Sequence, residues 1–434
     1  MSKQINLFTI LTKFLIIVLP FYVFIAVFIG SELWVKNAWI FIKELIIVLL
    51  FFSLWFEFIK NKKIPKFDTI DYLIFAYIIY WIFITFFNWL WLKSVVYWGR
   101  YDFIFLVVFL IFKQGKQFLS VSVNSLVKLF LISWWFSLLF SIMIKFRLWE
   151  QALISFWFTD YISNWTFNWS IPTYHWLENS WIKRFQWIFD WPNQMAFFLI
   201  LYSSIMLHYL KKKFEYHIIL ILILILILVI LTYSRSALLW IIIWTWVVFL
   251  INIKTIYKKH KKIFINWLLI LLIFIWILWF IFNDKVWNIL LRTSSTTWHF
   301  DRMQIWIDRF IENPLWSWLA ESGPAYRSIY PDKQTKADEQ YYIPESWFIQ
   351  QLTEWGIIYF SLFILILIFI LNNLYINSKS IFIWLIAILV MNIFLHIFEA
   401  TYLSVLLFIF VWLLYNKENM KNNMHTLLIK HNKK

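Results

Sequence analysis

Lys211-Lys-Lys-Phe-Glu-Tyr-His-Ile-Ile-Leu-Ile-Leu-Ile-Leu-Ile-Leu-Ile-Leu-Val-Ile-Leu-Thr-Tyr-Ser-Arg235 reads as a basic cluster, an unbroken apolar rod and a polar turn carrying an arginine. A second apolar run, 236–252, follows at once. A helix crossing hydrocarbon needs about 20 predominantly apolar residues, fewer where protein surrounds it. Working outward, the same pattern recurs along the 434-residue chain. We read about twelve spans, at 7–29, 38–59, 71–90, 95–112, 127–144, 192–209, 217–233, 236–252, 263–282, 348–371, 380–397 and 400–415. The first is long and has no small-residue cleavage site, so it reads as a retained span. The expected fold class is all-α: one polytopic membrane domain over 1–416, with a basic tail at 417–434.

Composition agrees. Hydrophobic residues make up 63% and charged residues 14%, against about a quarter charged in an ordinary soluble domain. A water-soluble fold could not cover its surface with so few charges. The net charge of +16 is dispersed in short clusters between apolar runs, which is membrane topology and not a nucleic-acid face. Cysteine is absent, which excludes disulfides, thiolate metal sites and cysteine nucleophiles. Lys60 to Lys66, Lys113 and Lys116, Lys211 to Lys213, Lys254 to Lys262 and the tail lysines all fall on one side if both termini are cytoplasmic. Most acids, including Asp284, Asp301, Asp308, Glu312, Asp332, Asp338, Glu339 and Glu345, fall on the other. The positive-inside rule sets the orientation on that asymmetry.

Two outer segments are long, 145–191 and 283–347, and loops of this length in a compact protein are usually functional. In the second, Phe300, Met303, Ile307 and Phe310 recur at helical spacing, with Asp301, Asp308 and Glu312 towards a polar face. This predicts an amphipathic helix on the outer surface, stopped by Asn313-Pro314.

Arginine on the outer side runs against the topological trend. Arg184, Arg235, Arg292 and Arg302 lie there, and a guanidinium offers a planar, permanently charged fork that matches phosphate oxygens. An anionic ligand is one reading. The other is structural: a snorkelling helix-end residue for Arg235, surface ion pairs for Arg184 and Arg302. Asn193, in Asp190-Trp-Pro192-Asn193 before a span, is a helix starter that could also face a ligand. Lys43 and Glu44, inside the second span, read either as a polar site facing the bundle interior or as a helix-end pair.

Glycine and tryptophan usage is anomalous: 5 Gly and 32 Trp, where average composition gives about 30 Gly. Trp240 and Trp244 occupy a stripe where small residues would let helices pack, and Trp316 and Trp318 stand in a turn after Pro314. One explanation is that many of these positions are UGA codons read as glycine in the cell. The other is a chain that is truly rich in Trp.

Four stretches together resemble the O-antigen ligase and polymerase family of bacterial membrane glycan transferases. They are Arg184-Phe-Gln-Trp187 with Asp190-Trp-Pro-Asn193; Thr232-Tyr-Ser-Arg235-Ser-Ala-Leu-Leu-Trp240; Arg302-Met-Gln-Ile-Trp306 followed by Asn313-Pro-Leu-Trp316-Ser-Trp318; and Glu345-Ser-Trp347-Phe-Ile-Gln-Gln-Leu-Thr-Glu354-Trp355-Gly356. The family typically carries Gly where Trp187, Trp240, Trp316 and Trp318 stand, and Trp where Trp306 stands. The resemblance implies a glycan transferase of the bacterial cytoplasmic membrane, working on its outer face. The donor would be an undecaprenyl-pyrophosphate-linked glycan and the acceptor a glycan or lipid hydroxyl, with membrane lipid around the protein and no nucleic acid. Arg184, Arg235, Arg302 and Asn193 would hold the pyrophosphate. The family's ligase branch has an essential His–Asn pair where Glu345 and Ser346 stand here. Either Glu345 takes the acid–base role, with His299 and Glu339 in reserve, or the chain belongs to a branch that uses no His; no metal or cofactor is expected. Ligase and polymerase chemistry both fit, and a lipid or polysaccharide exporter is the alternative from another class.

Overall fold

The structure, a computed structural model, describes residues 6–32, 41–88, 92–143, 153–155, 158, 173–177, 183–186, 189, 191–210, 216–238, 293–315, 344–377 and 379–414. Among these the protein is helical, and the one pairing of extended backbone is an isolated antiparallel bridge between Trp176 and Lys183. The helices are α1 (Leu7–Val18), α2 (Tyr22–Glu32), α3 (Ile42–Lys60), α4 (Thr69–Phe87), α5 (Leu92–Asp102), α6 (Ile104–Gly115) and α7 (Val123–Met143). They continue with α8 (Pro192–Leu210), α9 (Tyr216–Leu231), α10 (Thr293–Glu312), α11 (Trp347–Asn377), α12 (Lys379–Ile393) and α13 (Thr401–Leu414).

Four helical stretches are long and apolar enough to cross a membrane among the described residues: Leu7–Ile29, Thr69–Phe87, Val123–Phe140 and Trp347–Ile376. A fifth follows if α5 and α6, bent by 61° at Phe103, are one broken span. The segment expected as one span over 95–112 is thus two helices with a sharp bend between them. Arg100 and Asp102 stand next to the break, where buried side-chain partners hold them. Ile381–Ile393 and Thr401–Leu413 are shorter apolar helices. The expected spans at 236–252 and 263–282, and the tail, lie outside the described residues apart from the first turn, 235–238.

The surface follows the logic of a lipid solvent. Leu45, Leu49, Phe52, Trp55, Phe56 and Ile59 on α3 are exposed, as are Ile79, Phe83 and Phe86 on α4. Water would penalise each exposed apolar side chain, and hydrocarbon does not. Inside, α6 packs on α13, α11 on α12 and α4, α1 on α3 and α7, and α8 on α9.

Polar caps order one end. Asn6 accepts from the Thr9 N–H and donates to the main-chain oxygen of Phe118 at 2.8 Å. Asp68 and Asp71 form a reciprocal capping box on α4, and Lys113 Nζ pairs with Asp68 at 2.6 Å and Asp71 at 2.7 Å. This end carries Lys60 to Lys66 and Lys113. Chain direction puts Tyr22, Lys43 and Arg100 at the opposite end, and contacts bring the others there. Tyr402 stacks on Tyr22 and donates to Gln194 beside Asn193, and Arg184 joins Asn193 to the turn before Arg235. Glu399 acts electrostatically on Tyr101, and His396 acts in the same way on Glu345.

The tryptophans show a cost. The indole N–H groups of Trp98, Trp134, Trp347 and Trp384 are buried with no hydrogen-bond partner among the described residues. An unmade buried hydrogen bond costs about 1–3 kcal/mol. Trp81, by contrast, donates to Asp102 at 3.0 Å, and Trp306 is buried beneath Arg309, 4.7 Å from the ring centroid. Trp187, Trp240, Trp244, Trp316 and Trp318 lie outside the described residues. If UGA is read as glycine, peptide mass spectrometry of the protein from its own host will find Gly at those five positions and Trp at 306. Tryptophan at all six would refute the recoding.

Candidate functional site

Arg184 is tied to the end of α9. Its Nε donates to the main-chain oxygen of Thr232 at 2.9 Å, and its Nη2 to Asn193 Oδ1 at 3.1 Å and to the oxygen of Tyr233 at 3.5 Å. A helix C-terminus leaves carbonyls without intrahelical partners and carries partial negative charge, so a guanidinium is a natural cap. The backbone joins in: Phe185 N–H donates to the oxygen of Leu231 at 2.9 Å. Tyr233 turns through a left-handed conformation (φ 50°), and Thr232 Oγ1 accepts from the Ser234 N–H. Arg235 begins the next helical turn directly after. The structure thus brings Arg184, Asn193 and the Arg235 turn together, with Arg184 as the brace. Asp190, the neighbouring acid weighed as a surface ion-pair partner for Arg184, lies outside the described residues. Burial pushes the nearby His175 imidazole down to about 4, with Gln186 opposing and Arg184 adding to the effect. It is neutral at physiological pH and adds no positive charge beside Arg184.

The second group surrounds Glu345. Helix α10 docks on α11 through Met303 and Trp306, both buried. The expected face included Phe300, which is exposed. The helix is rotated so that His299, Met303, Trp306 and Phe310, at i, i+4, i+7 and i+11, turn inward. At this contact Thr353 Oγ1 on α11, which donates to the Ile349 oxygen of its own helix at 2.8 Å, also lies 3.3 Å from the main-chain oxygen of Trp306. Asp301, Asp308 and Glu312 are exposed, as expected.

At the end of α10, the Ile357 N–H donates to the oxygen of Pro314 at 3.0 Å. The next residue, Leu315, lies against Gly356, whose φ of 78° and ψ of 178° interrupt α11. This docking sets the position of His299, whose Nδ1 is 2.9 Å from Glu345 Oε2. Glu345 itself sits at φ 60°, a conformation uncommon for a residue with a Cβ and characteristic of functional positions. Ser346, next in sequence, caps α11 by accepting from the Ile349 N–H. Burial alone would raise the Glu345 carboxyl. The His299 hydrogen bond and the charges of His299, His396 and Arg302 outweigh burial and hold it below the ordinary carboxylate range. The group is therefore ionised at neutral pH, and the stabilisation its carboxylate gains is lost as pH falls through that lowered value.

Three expected residues are thereby assembled: Glu345, His299 and, within electrostatic reach, Arg302. Glu339 and Arg292 lie outside the described residues.

The third group was only half visible in the sequence. Lys43 is fully buried, pairs with Glu44 at 2.7 Å and donates to the Tyr22 hydroxyl at 3.1 Å. Arg100 Nε shares the same Glu44 oxygen at 2.7 Å. Asp102 accepts from Trp81 and, at 2.9 Å, from Gln351. Lys43 and Glu44 thus face the bundle interior. Arg100, Asp102, His396 and Glu399 were missed. Their signal was there to find: charged residues inside apolar segments are costly and generally functional. No family model matches the chain, and no curated protein matches it.

Proposed function

We propose that this protein moves a glycan from an undecaprenyl-pyrophosphate carrier to an acceptor hydroxyl at the outer face of the bacterial cytoplasmic membrane. The observation that carries the reading is the gathering of the Arg184–Asn193–Arg235 turn and the Glu345–His299–Arg302 group at one end of a bundle of apolar helices. That is the arrangement a membrane-anchored anionic donor calls for. The sequence topology of about twelve spans puts this end outside, with both termini inside.

The leaving group is already a good one, so catalysis needs charge stabilisation and an aimed acceptor. Arg235 and Arg302 would stabilise the negative charge that grows on the pyrophosphate oxygens, with Arg184 and Asn193 holding the turn. Glu345, paired with His299, would take or orient the acceptor proton. Fixed guanidinium groups would stand in for a divalent ion, and attack opposite the leaving group would invert the anomeric centre.

Deletion in the native host followed by analysis of lipid-linked glycans tests the reading. Accumulated lipid-linked glycan is expected: single repeats for polymerase chemistry, full-length chains for ligase chemistry. An unchanged lipid-linked pool would overturn both. Carrier lipid trapped on the cytoplasmic side would point instead to an exporter.

A further inference from the structure

At the end of the bundle away from Lys60 to Lys66, α3 and α5 bring two cations onto one carboxylate. Lys43 Nζ lies 2.7 Å from Glu44 Oε1, and Arg100 Nε lies 2.7 Å from that same oxygen. The second oxygen, Oε2, is buried and has no hydrogen-bond partner among the described residues. Arg100 is only 8% exposed. Its closest approach to Glu44 is at Nε, off the line of a hydrogen bond, and its terminal nitrogens bond nothing among the described residues. The guanidinium carbon lies 5.1 Å from the ring centre of Phe41 and 5.4 Å from that of Tyr101. Lys43 is held by the Tyr22 hydroxyl at 3.1 Å.

One carboxylate cannot satisfy every donor of a guanidinium and an ammonium. The aromatic rings attract the guanidinium and steady its plane without using any of its N–H groups. Its charge is permanent, and a charge withdrawn from water is costly until it is paired and hydrogen-bonded. Arg100 is therefore a preorganised fork with its terminal donors unused, beside a second cation. Depth narrows the partner. Leu45, Leu49 and Phe52, further along α3, are exposed and apolar, so hydrocarbon begins just past Lys43. The cluster thus stands at headgroup level, where lipid phosphates lie and basic pockets between spans take them.

We propose that Lys43 and Arg100 form an anion seat for a phosphodiester, separate from the Arg184–Asn193–Arg235 turn. The ester's two free oxygens would accept from the terminal N–H groups of Arg100, with Lys43 alongside. A phosphodiester carries one negative charge, the charge needed to balance two cations and one carboxylate. Glu44 holds the cations together when the seat is empty and competes with the anion when it fills. The ester comes either from a phospholipid headgroup or from a molecule that reaches the seat through water. The seat requires no glycan transfer, so it stands or falls apart from that reading.

The full-length protein in dodecyl maltoside micelles, which hold no phosphate, is melted with increasing sodium dimethyl phosphate at constant ionic strength. A parallel series mixes phosphatidylglycerol into the micelles, with a galactosyl diacylglycerol of the same acyl chains as the phosphate-free control. The wild type should gain melting temperature with phosphatidylglycerol beyond that control. A gain with lipid alone assigns the seat to a headgroup, and a gain with dimethyl phosphate as well opens it to esters from water. Arg100→Gln should raise the half-effective concentration about 10- to 100-fold, the range for losing a hydrogen bond to a charged group. Lys43→Met should move it the same way. Glu44→Gln should lower it, because a competing anion is gone, a gain that a merely structural ion pair does not give. The double variant Arg235→Ala/Arg302→Ala should respond as the wild type does. A wild type that responds to neither probe overturns the assignment. So does a wild-type response in Arg100→Gln, weaker binding in Glu44→Gln, or a response lost from the double variant.

Discussion

Replacing Gly356 with alanine is expected to undock the segment after α10 and to lower the melting temperature in detergent sharply. At φ 78° and ψ 178° the backbone occupies a region essentially reserved for glycine. A Cβ built there would lie 1.4 Å from the main-chain oxygen of Leu315 and 2.2 Å from its carbonyl carbon. The obstacle is backbone, so no side chain can swing away to make room. The conformational term alone is about 1–3 kcal/mol, and the collision adds to it by breaking the Ile357–Pro314 hydrogen bond. Because α10 carries His299 and Arg302, the variant should also lose transfer activity and expose the chain after Asn313 to protease. A Gly356→Ala protein with the parental melting temperature and the parental cleavage pattern would contradict this account.

Arg235→Ala and Arg302→Ala should each reduce glycan transfer by about 100- to 1,000-fold, the range for removing one electrostatic stabiliser of a developing negative charge. Both proteins should still insert into the membrane at normal levels. Arg184→Ala should behave differently. Its guanidinium holds the oxygens of Thr232 and Tyr233 and the Asn193 side chain, so its loss should lower thermal stability as well as activity. Leaving those groups unsatisfied costs about 1–3 kcal/mol. Arg184→Lys should not restore the wild type, since an ammonium cannot bridge two separated acceptors in the geometry of a planar fork. Transfer assays in native membranes, read beside melting temperatures, separate the two behaviours. Full activity in both Arg235→Ala and Arg302→Ala would remove these residues from the site.

How far the sequence carries can be seen at single residues. The helix over 293–312 and its stop at Asn313-Pro314 were legible from spacing alone. Which face it buries was not: Phe300 points out while Met303 and Trp306 turn in, because the helix packs on α11, an element far along the chain. Lys43 and Glu44 stood out as charges in an apolar run. Their partner Arg100 lay in another segment, and nothing in local pattern links the two. The break at Phe103 was likewise hidden, since hydropathy averages over the window in which the bend occurs.

The sequence by itself determined the all-helical class and the apolar character of the protein, and it separated the lysine-rich end from the end bearing the acids and outlying arginines. Those properties arise from solvent transfer and local periodicity, which act on each segment independently. Only the tertiary structure decided that His299 meets Glu345, that Arg184 braces the turn before Arg235, and that Glu399 sits beside His396 next to that group. Those pairings depend on helix rotation, on the backbone of Gly356 and on contacts between residues far apart in the chain. Burial makes such contacts specific, because a charge withdrawn from water must find a partner at one position and not at its neighbours.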